Sequence, residues 1–275
     1  MNRKDQPNPS RSPVAKLRLR YAKRGKLRFT SHRDIARAFE RAVRKAHIPV
    51  AYSQGFSPHP KISWVGAAPT GVASEAEYVE IQVVERLRPE RILEQLNDAL
   101  PEGLDVREAV VAAGGSLPAR IDASSWRLAV SGVAGAELSR AVAALLAVDH
   151  VEVDRMTKNG MRKLDVRPAL VSAQVEAVRE HSSEPTEPEE TTVGEPYGIL
   201  TLVVRQMTPT VRPDDVLSAL GVVAGLVPPA PVTATRMAQG RLDDAGGLVD
   251  PLLEDRAAVP DGTAEERKPA RNVVE

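Results

Sequence analysis

Two kinds of apolar periodicity alternate along the chain, and their order constrains the fold more than any other feature. Residues 16–22, KLRLRYA, set Leu17, Leu19 and Tyr21 against Lys16, Arg18 and Arg20 at period two. That pattern predicts a strand with one buried face. Gly25 permits a turn, and Leu27 and Phe29 continue the alternation. Ser31 reads as an N-cap with Asp34 three residues later, and Ile35, Phe39, Ala42, Val43 and Ala46 recur at helical spacing. A helix is therefore expected to about Ala46, with Pro49 ending it. Short strands are expected at 48–53 and 61–65, and a clear one at 76–84, AEYVEIQVV. A helix from Pro89 to about Leu100 and a strand at 104–112 complete the order β-α-β-β-α-β, the ferredoxin-like pattern.

The second half repeats that order of elements without residue-level identity to the first. Strand 126–131 and helix 135–147 lead to a hairpin of 150–156 and 161–167 around Lys158-Asn159-Gly160, a strong turn signal. Strand 199–205, helix 213–220 and strand 232–237 follow. The expected fold class is α+β: two tandem ferredoxin-like (βαββαβ) units with disordered termini. The boundaries read as a disordered tail at 1–14, a basic ferredoxin-like domain at 15–115 and a second such domain at 122–240. The second domain carries a Glu-, Pro-, Ser- and Thr-rich disordered insertion near 182–195, and another disordered tail covers 254–275.

Net charge is zero over 275 residues, but its distribution is uneven. Residues 1–65 hold 16 Lys or Arg against Asp5, Asp34 and Glu40, a net +13, and the rest carries −13. Such asymmetry points to a polyanionic partner for the basic part, most commonly a phosphate backbone; the alternative is a solvated tail and helix face. The chain has no cysteine, which excludes disulfides, cysteine-ligated zinc and an iron–sulfur cluster of its own. No apolar run approaches the ~18–20 residues that span a bilayer, and the start MNRKDQPNPSRSP lacks an apolar signal core. A cytoplasmic protein is expected.

The candidate phosphate and nucleic-acid contacts cluster in this basic third. Arg33, Arg37 and Arg41 stand at i, i+4 and i+8 with Arg44 and Lys45 nearby, and Lys16, Arg18 and Arg20 add a second row on the strand. Guanidinium forks suit phosphate oxygens. Ser31 and His32 open the helix where free N–H groups favour an anion. In the loop Gln54-Gly55-Phe56-Ser57-Pro58-His59-Pro60, Gly55 allows positive φ and close backbone approach, and the prolines stiffen the flanks of His59. Phe56 either stacks on a base or plugs the core. His32 and His59 are the candidate catalytic residues, each open to a binding or purely structural role. Arg28 and Lys61 join the contact set, which is Arg18, Arg20, Arg28, Ser31, His32, Arg33, Arg37, Arg41, Arg44, Gly55, Phe56, His59 and Lys61. Glu75, Glu77 and Glu80 lie near both loops but follow no standard metal spacing. Pairing with arginines is expected of them, and neither a metal nor a cofactor is expected.

These residues also carry a family resemblance. LRFTSHRDIARAFERAVRKAHIPVAYSQGFSPHPKISW, followed by PTGVASEAEYVEI, resembles the radical-SAM-linked (radical SAM-associated) family of unknown function, DUF2344. The pattern comprises an F-x-S-H-x-D helix start, an R-A-x-R-x-A helix body, a G-F-x-P-H-P loop and a G-x-x-S-x-x-E-Y segment. It falls here on Phe29, Ser31, His32, Asp34, Arg41, Gly55, Phe56, Pro58, His59, Pro60, Gly71, Ser74, Glu77 and Tyr78. The match is close from Lys16 to Glu85 and loose to about residue 240. The resemblance implies a stand-alone partner of a separately encoded radical SAM protein, and it transfers no established catalytic residue. At the level of fold alone, the double plan is also similar to the RNA-binding repeat proteins of CRISPR processing. The leading expectation is a non-catalytic RNA-binding accessory that presents a tRNA or rRNA to that partner, with no membrane and no DNA involved. Two alternatives stand beside it: a metal-independent RNA endonuclease using His32 or His59, and a protein-interaction module that docks on a radical SAM enzyme without nucleic acid.

Overall fold

The computed structural model describes residues 11–158, 160–176 and 197–258. Most of the expected N-terminal tail, the whole insertion at 182–195 and the stretch from residue 259 lie outside the described residues. The first half contributes β1 (Ala15–Lys23), α1 (His32–Lys45), β2 (Ile62–Val65), β3 (Ala73–Val83), α2 (Pro89–Asn97) and β4 (Val106–Val111). The second contributes β5 (Ala123–Ser131), α3 (Gly135–Ala147), β6 (Glu152–Thr157), β7 (Gly160–Asp165), β8 (Leu170–Glu176), β9 (Tyr197–Arg205), α4 (Pro213–Ala224) and β10 (Thr233–Leu242). Two short elements close the described chain, β11 (Leu248–Val249) and α5 (Leu253–Ala257).

The fold is mixed α+β around one large, mostly antiparallel sheet in the order β4-β1-β3-β10-β5-β9-β8, with β2 beside β3 and β11 beside β10. Strand β3 shares one edge between two partners. Its C-terminal half pairs with β2 from Ile62↔Ile81 to Val65↔Tyr78, and its first residues pair in parallel with β10 at Ala73↔Thr235 and Ser74↔Arg236. That short parallel ladder joins the two halves of the chain.

Each half has its own core. Leu17, Leu19 and Tyr21 of β1 meet Phe39 and Val43 of α1 and Ile92 and Leu96 of α2. Leu128 and Val130 of β5 meet Leu138 and Leu145 of α3 and Val216 and Leu220 of α4. Full burial of one such side chain stabilises by roughly 1.5–3 kcal/mol.

Five expectations change. Leu27 and Phe29 do not extend a strand; residues 25–29 form a 3-10 turn that leaves Phe29 exposed. Residues 48–53 make isolated bridges at Val50↔Val83 and Tyr52↔Pro60, not a strand. The hairpin β6–β7 is a separate two-stranded sheet. Its Val153 and Leu164 enter the second core and its Arg155 pairs with Asp215 in the first turn of α4, so it leans on the helical layer. The large sheet is completed by β8, which pairs antiparallel with β9. Finally, residues 254–257 are not a tail: they belong to α5, where Asp255 is completely buried.

Candidate nucleic-acid interface

The site begins with the direction of α1. Ser31 caps it, its Oγ accepting the Asp34 N–H at 3.3 Å and donating to Asp34 Oδ2 at 2.7 Å. Ile35, Ala38, Phe39, Ala42 and Val43 are buried on one side. Arg33, Arg37, Arg41 and Arg44 are exposed on the other, within an arc of about 80° at 100° per residue. Arg37 pairs with Asp34 at 3.4 Å, and Arg44 Nε donates to the Glu40 carbonyl. Arg33 and Arg41 have no carboxylate partner among the described residues.

The register of β3 fixes what lies at each end of this row. The turn at 25–29 follows Lys23, which pairs with Ser74 at the start of β3. The loop at 53–60 opens beyond Val50, which pairs with Val83 at the end of β3. Helix α1 runs from the first end to the second.

At the first end, the Arg28 guanidinium lies over the Phe29 ring, 4.8 Å from its centroid, and Phe29 is 61% exposed. The Arg28 carbonyl accepts the N–H of Gly71, whose φ of +91° is a conformation that glycine adopts without strain. His32 stands edge-on to Trp64 of β2, centroids 5.3 Å apart, and Trp64 packs in turn against Phe39 and Tyr21. At the second end, Ser53 Oγ accepts the His59 N–H at 3.0 Å and lies 2.8 Å from His59 Nδ1, which closes the loop. Gly55 takes φ +127° in open space, so the loop uses its conformational freedom but no close backbone approach. Phe56 does not plug the core; it is 91% exposed, and Lys61 is half-buried where the chain enters β2.

The two histidines have different neighbours: His32 sits against Trp64, and His59 bonds to Ser53. Among the described residues, no group of three His, Asp or Glu side chains is placed to hold a metal ion.

The strand row does not join the helix row. Arg18 has no exposed surface. Its Nη1 donates to both oxygens of Asp255 at 2.8 and 2.9 Å, its Nε to Glu80 at 3.0 Å and its Nη2 to the Gly115 carbonyl at 2.7 Å. The bonds to Asp255 and Glu80 raise the Arg18 pKa against the opposing effect of burial, which is the largest single influence. Arg18 is thus withdrawn from the phosphate-contact set, because every direction it could reach is taken by protein. Arg20 turns onto Glu108 at 3.3 Å, and Lys16 onto Glu80 at 3.2 Å. Five bases of the first 65 residues, Arg11, Lys16, Arg18, Arg20 and Arg24, pair with acids that follow residue 65. Much of the +13 is therefore neutralised within the fold.

The G-x-x-S-x-x-E-Y segment builds the joint between the halves. Glu77 is 1% exposed and pairs with Arg236 of β10 while accepting the Ala68 N–H at 2.9 Å. Arg236 also reaches Ser74, Gln239 and the Gly66 carbonyl. Lys23, completely buried, donates to the carbonyls of Pro69 and Ala68. Desolvation lowers its pKa; nearby Glu77 opposes that shift and Arg236 adds to it. The acids act as expected, Glu75 pairing with Arg24, Glu77 with Arg236 and Glu80 with Arg18. The sequence reading missed Trp64, Lys23, Arg236 and Asp255, whose partners are remote in the chain. The one local signal was the Trp directly after the Pro-rich loop.

No helix among the described residues is long and apolar enough to cross a membrane. No curated protein matches the chain. One family model does, over residues 16–213: an uncharacterized protein conserved in bacteria (DUF2344). That stretch runs from β1 to the start of α4, includes every motif position on the α1 face and in both loops, and takes in well over half of the sequence; the chain belongs to this family.

Proposed function

We propose that this protein is a cytoplasmic RNA-binding accessory that works with a separately encoded radical SAM partner in tRNA or rRNA modification or processing. The observation that carries the reading is the outer face of α1, where Arg33, Arg37, Arg41 and Arg44 are exposed together and Arg33 and Arg41 have no carboxylate partner among the described residues. The row lies opposite the buried stripe, so a polyanion can reach it without disturbing the core. The strand orders β4-β1-β3-β2 and β10-β5-β9-β8, each with its two helices, support two ferredoxin-like units joined edge to edge. In this reading the β6–β7 hairpin is an insertion in the second unit, and the joined units are a rigid support for α1. The radical SAM partner rests on the motif resemblance alone.

Filter binding of a labelled tRNA transcript tests the reading. Affinity should fall steeply between about 50 and 200 mM salt, with a log–log slope of about −0.7 to −0.9 per phosphate contacted. Replacing Arg33, Arg37 and Arg41 together by Ala should flatten that slope by about 2–3. No binding at the lower salt refutes it. Cleavage of the transcript that His32→Ala or His59→Ala abolishes, with binding retained, replaces it with the endonuclease. A radical SAM complex that survives nuclease and high salt, in a protein that binds no RNA, replaces it with the docking module.

A further inference from the structure

The chain has three phenylalanines, and the fold treats them in opposite ways. Phe39 is completely buried, whereas Phe29 and Phe56 are 61% and 91% exposed. Single exposed apolar residues are ordinary on protein surfaces. What sets this pair apart is place: Phe29 precedes the first turn of α1, and Phe56 sits in the 53–60 loop, which opens beyond the Val50↔Val83 bridge that follows the helix. The exposed arginine row runs between them along a 14-residue helix, about 21 Å at 1.5 Å per residue.

Both rings stand on backbone that internal bonds close. Phe29 is carried on the 3-10 turn tied to Gly71, with the Arg28 guanidinium against its ring. Phe56 lies in the loop closed by the two Ser53–His59 contacts and the Tyr52↔Pro60 bridge. Preorganisation of this kind lowers the entropy lost on binding.

We infer that this face takes unpaired RNA, with bases stacking on Phe29 and Phe56 and the intervening phosphates lying along the arginines of α1. The inference rests on the RNA-binding reading and narrows its ligand. Arginines on phosphate accept paired and unpaired RNA alike, because both present the same backbone. An exposed phenyl ring separates them, since only an unpaired base can splay out and offer its face.

Fluorescence anisotropy with two probes tests it: a labelled oligo(U) of about twelve nucleotides, within the ~4–16 typical of single-strand sites, and an RNA duplex of equal length. Wild-type protein should bind oligo(U) more tightly than the duplex. Phe29→Ala and Phe56→Ala should each weaken oligo(U) binding by roughly 5- to 150-fold, the equivalent of a lost base–aromatic stack, and leave duplex binding unchanged. Phe29→Trp and Phe56→Trp should keep oligo(U) affinity. Unchanged thermal midpoints in all four variants confirm intact folding, as their exposed positions lead one to expect. Equal losses on both probes, or no loss on oligo(U), overturn the stacking inference while leaving RNA binding in place. Failure of wild-type protein to bind either probe overturns both.

Discussion

Replacing Asp255 by Ala removes the partner that makes a buried guanidinium tolerable. Asp255 has no exposed surface and accepts four hydrogen bonds: two from Arg18, one from Arg120 at 2.9 Å and one from the Ala113 N–H at 2.9 Å. Without it, Arg18 keeps only Glu80 and the Gly115 carbonyl, both already engaged. Removing one member of a buried pair costs about 3–5 kcal/mol, because the remaining charge stays desolvated. Against a total stability of about 5–15 kcal/mol, that is a large fraction. At about 2–4 °C per kcal/mol for a chain of this size, the midpoint should fall by roughly 6–20 °C. Urea titration followed by circular dichroism measures the loss directly. The double variant Arg18→Met, Asp255→Leu should recover only part of it, since it removes the desolvated guanidinium but still leaves Arg120 and the Ala113 N–H without Asp255 and Glu80 without Arg18. A loss below about 1 kcal/mol for Asp255→Ala would refute the reasoning, because α5 would then not be held by this pair.

Two further outcomes follow from the same geometry. Glu77→Gln should leave Arg236 buried without its counter-charge and loosen the joint, so hydrogen exchange should quicken at the β3–β10 ladder and stay slow between β1 and β3; uniform protection would contradict this. The His150–Asp165 pair gives a pH signature: the bond to Asp165 raises the His150 pKa, and the bond from His150, aided by the Val151 and Arg167 N–H groups, lowers that of Asp165 against the effect of burial. Its stabilising contribution is present below the ordinary histidine pKa and fades as pH rises through the raised value; on the acid side it fades as pH falls through the lowered aspartate value. Urea midpoints of wild type and His150→Gln should therefore differ near pH 5.5 and converge near pH 9, and a difference that persists at pH 9 would refute the assignment.

Helix α1 was legible because its determinants are local: the Ser31 cap, the apolar stripe and the opposing arginines all lie within fifteen residues. β1 shows where locality ends. Its alternation correctly put Leu17, Leu19 and Tyr21 in the core, yet period two says nothing about what covers the other face. Here that face is covered too, in part by α5, and Arg18 is buried by a residue 237 positions away. β8 was missed because Leu170 and Ala173 are its two buried residues and they do not alternate cleanly. The hairpin of β6 and β7 was seen but assigned to the sheet, since a turn signal identifies a hairpin without saying what it packs on.

The same long-range pairing bears on the family's matched span. The match ends at residue 213, but the pairs Arg18–Asp255, Glu77–Arg236, Arg155–Asp215 and Glu108–Arg256 all cross that boundary. The second core crosses it as well, through Val216, Leu220 and Leu226. A fragment ending at residue 213 would leave Arg18 without Asp255 and Glu77 without Arg236 and would lose α4 from the second core, so the folding unit extends at least to α5. Part of the charge asymmetry of the sequence then has a physical origin: five bases of the first 65 residues are matched to acids of the remainder because the chain folds back on itself. On the outer face of α1, Arg33 and Arg41 keep no carboxylate partner among the described residues, and it is on that unpaired charge that the proposed RNA contact depends.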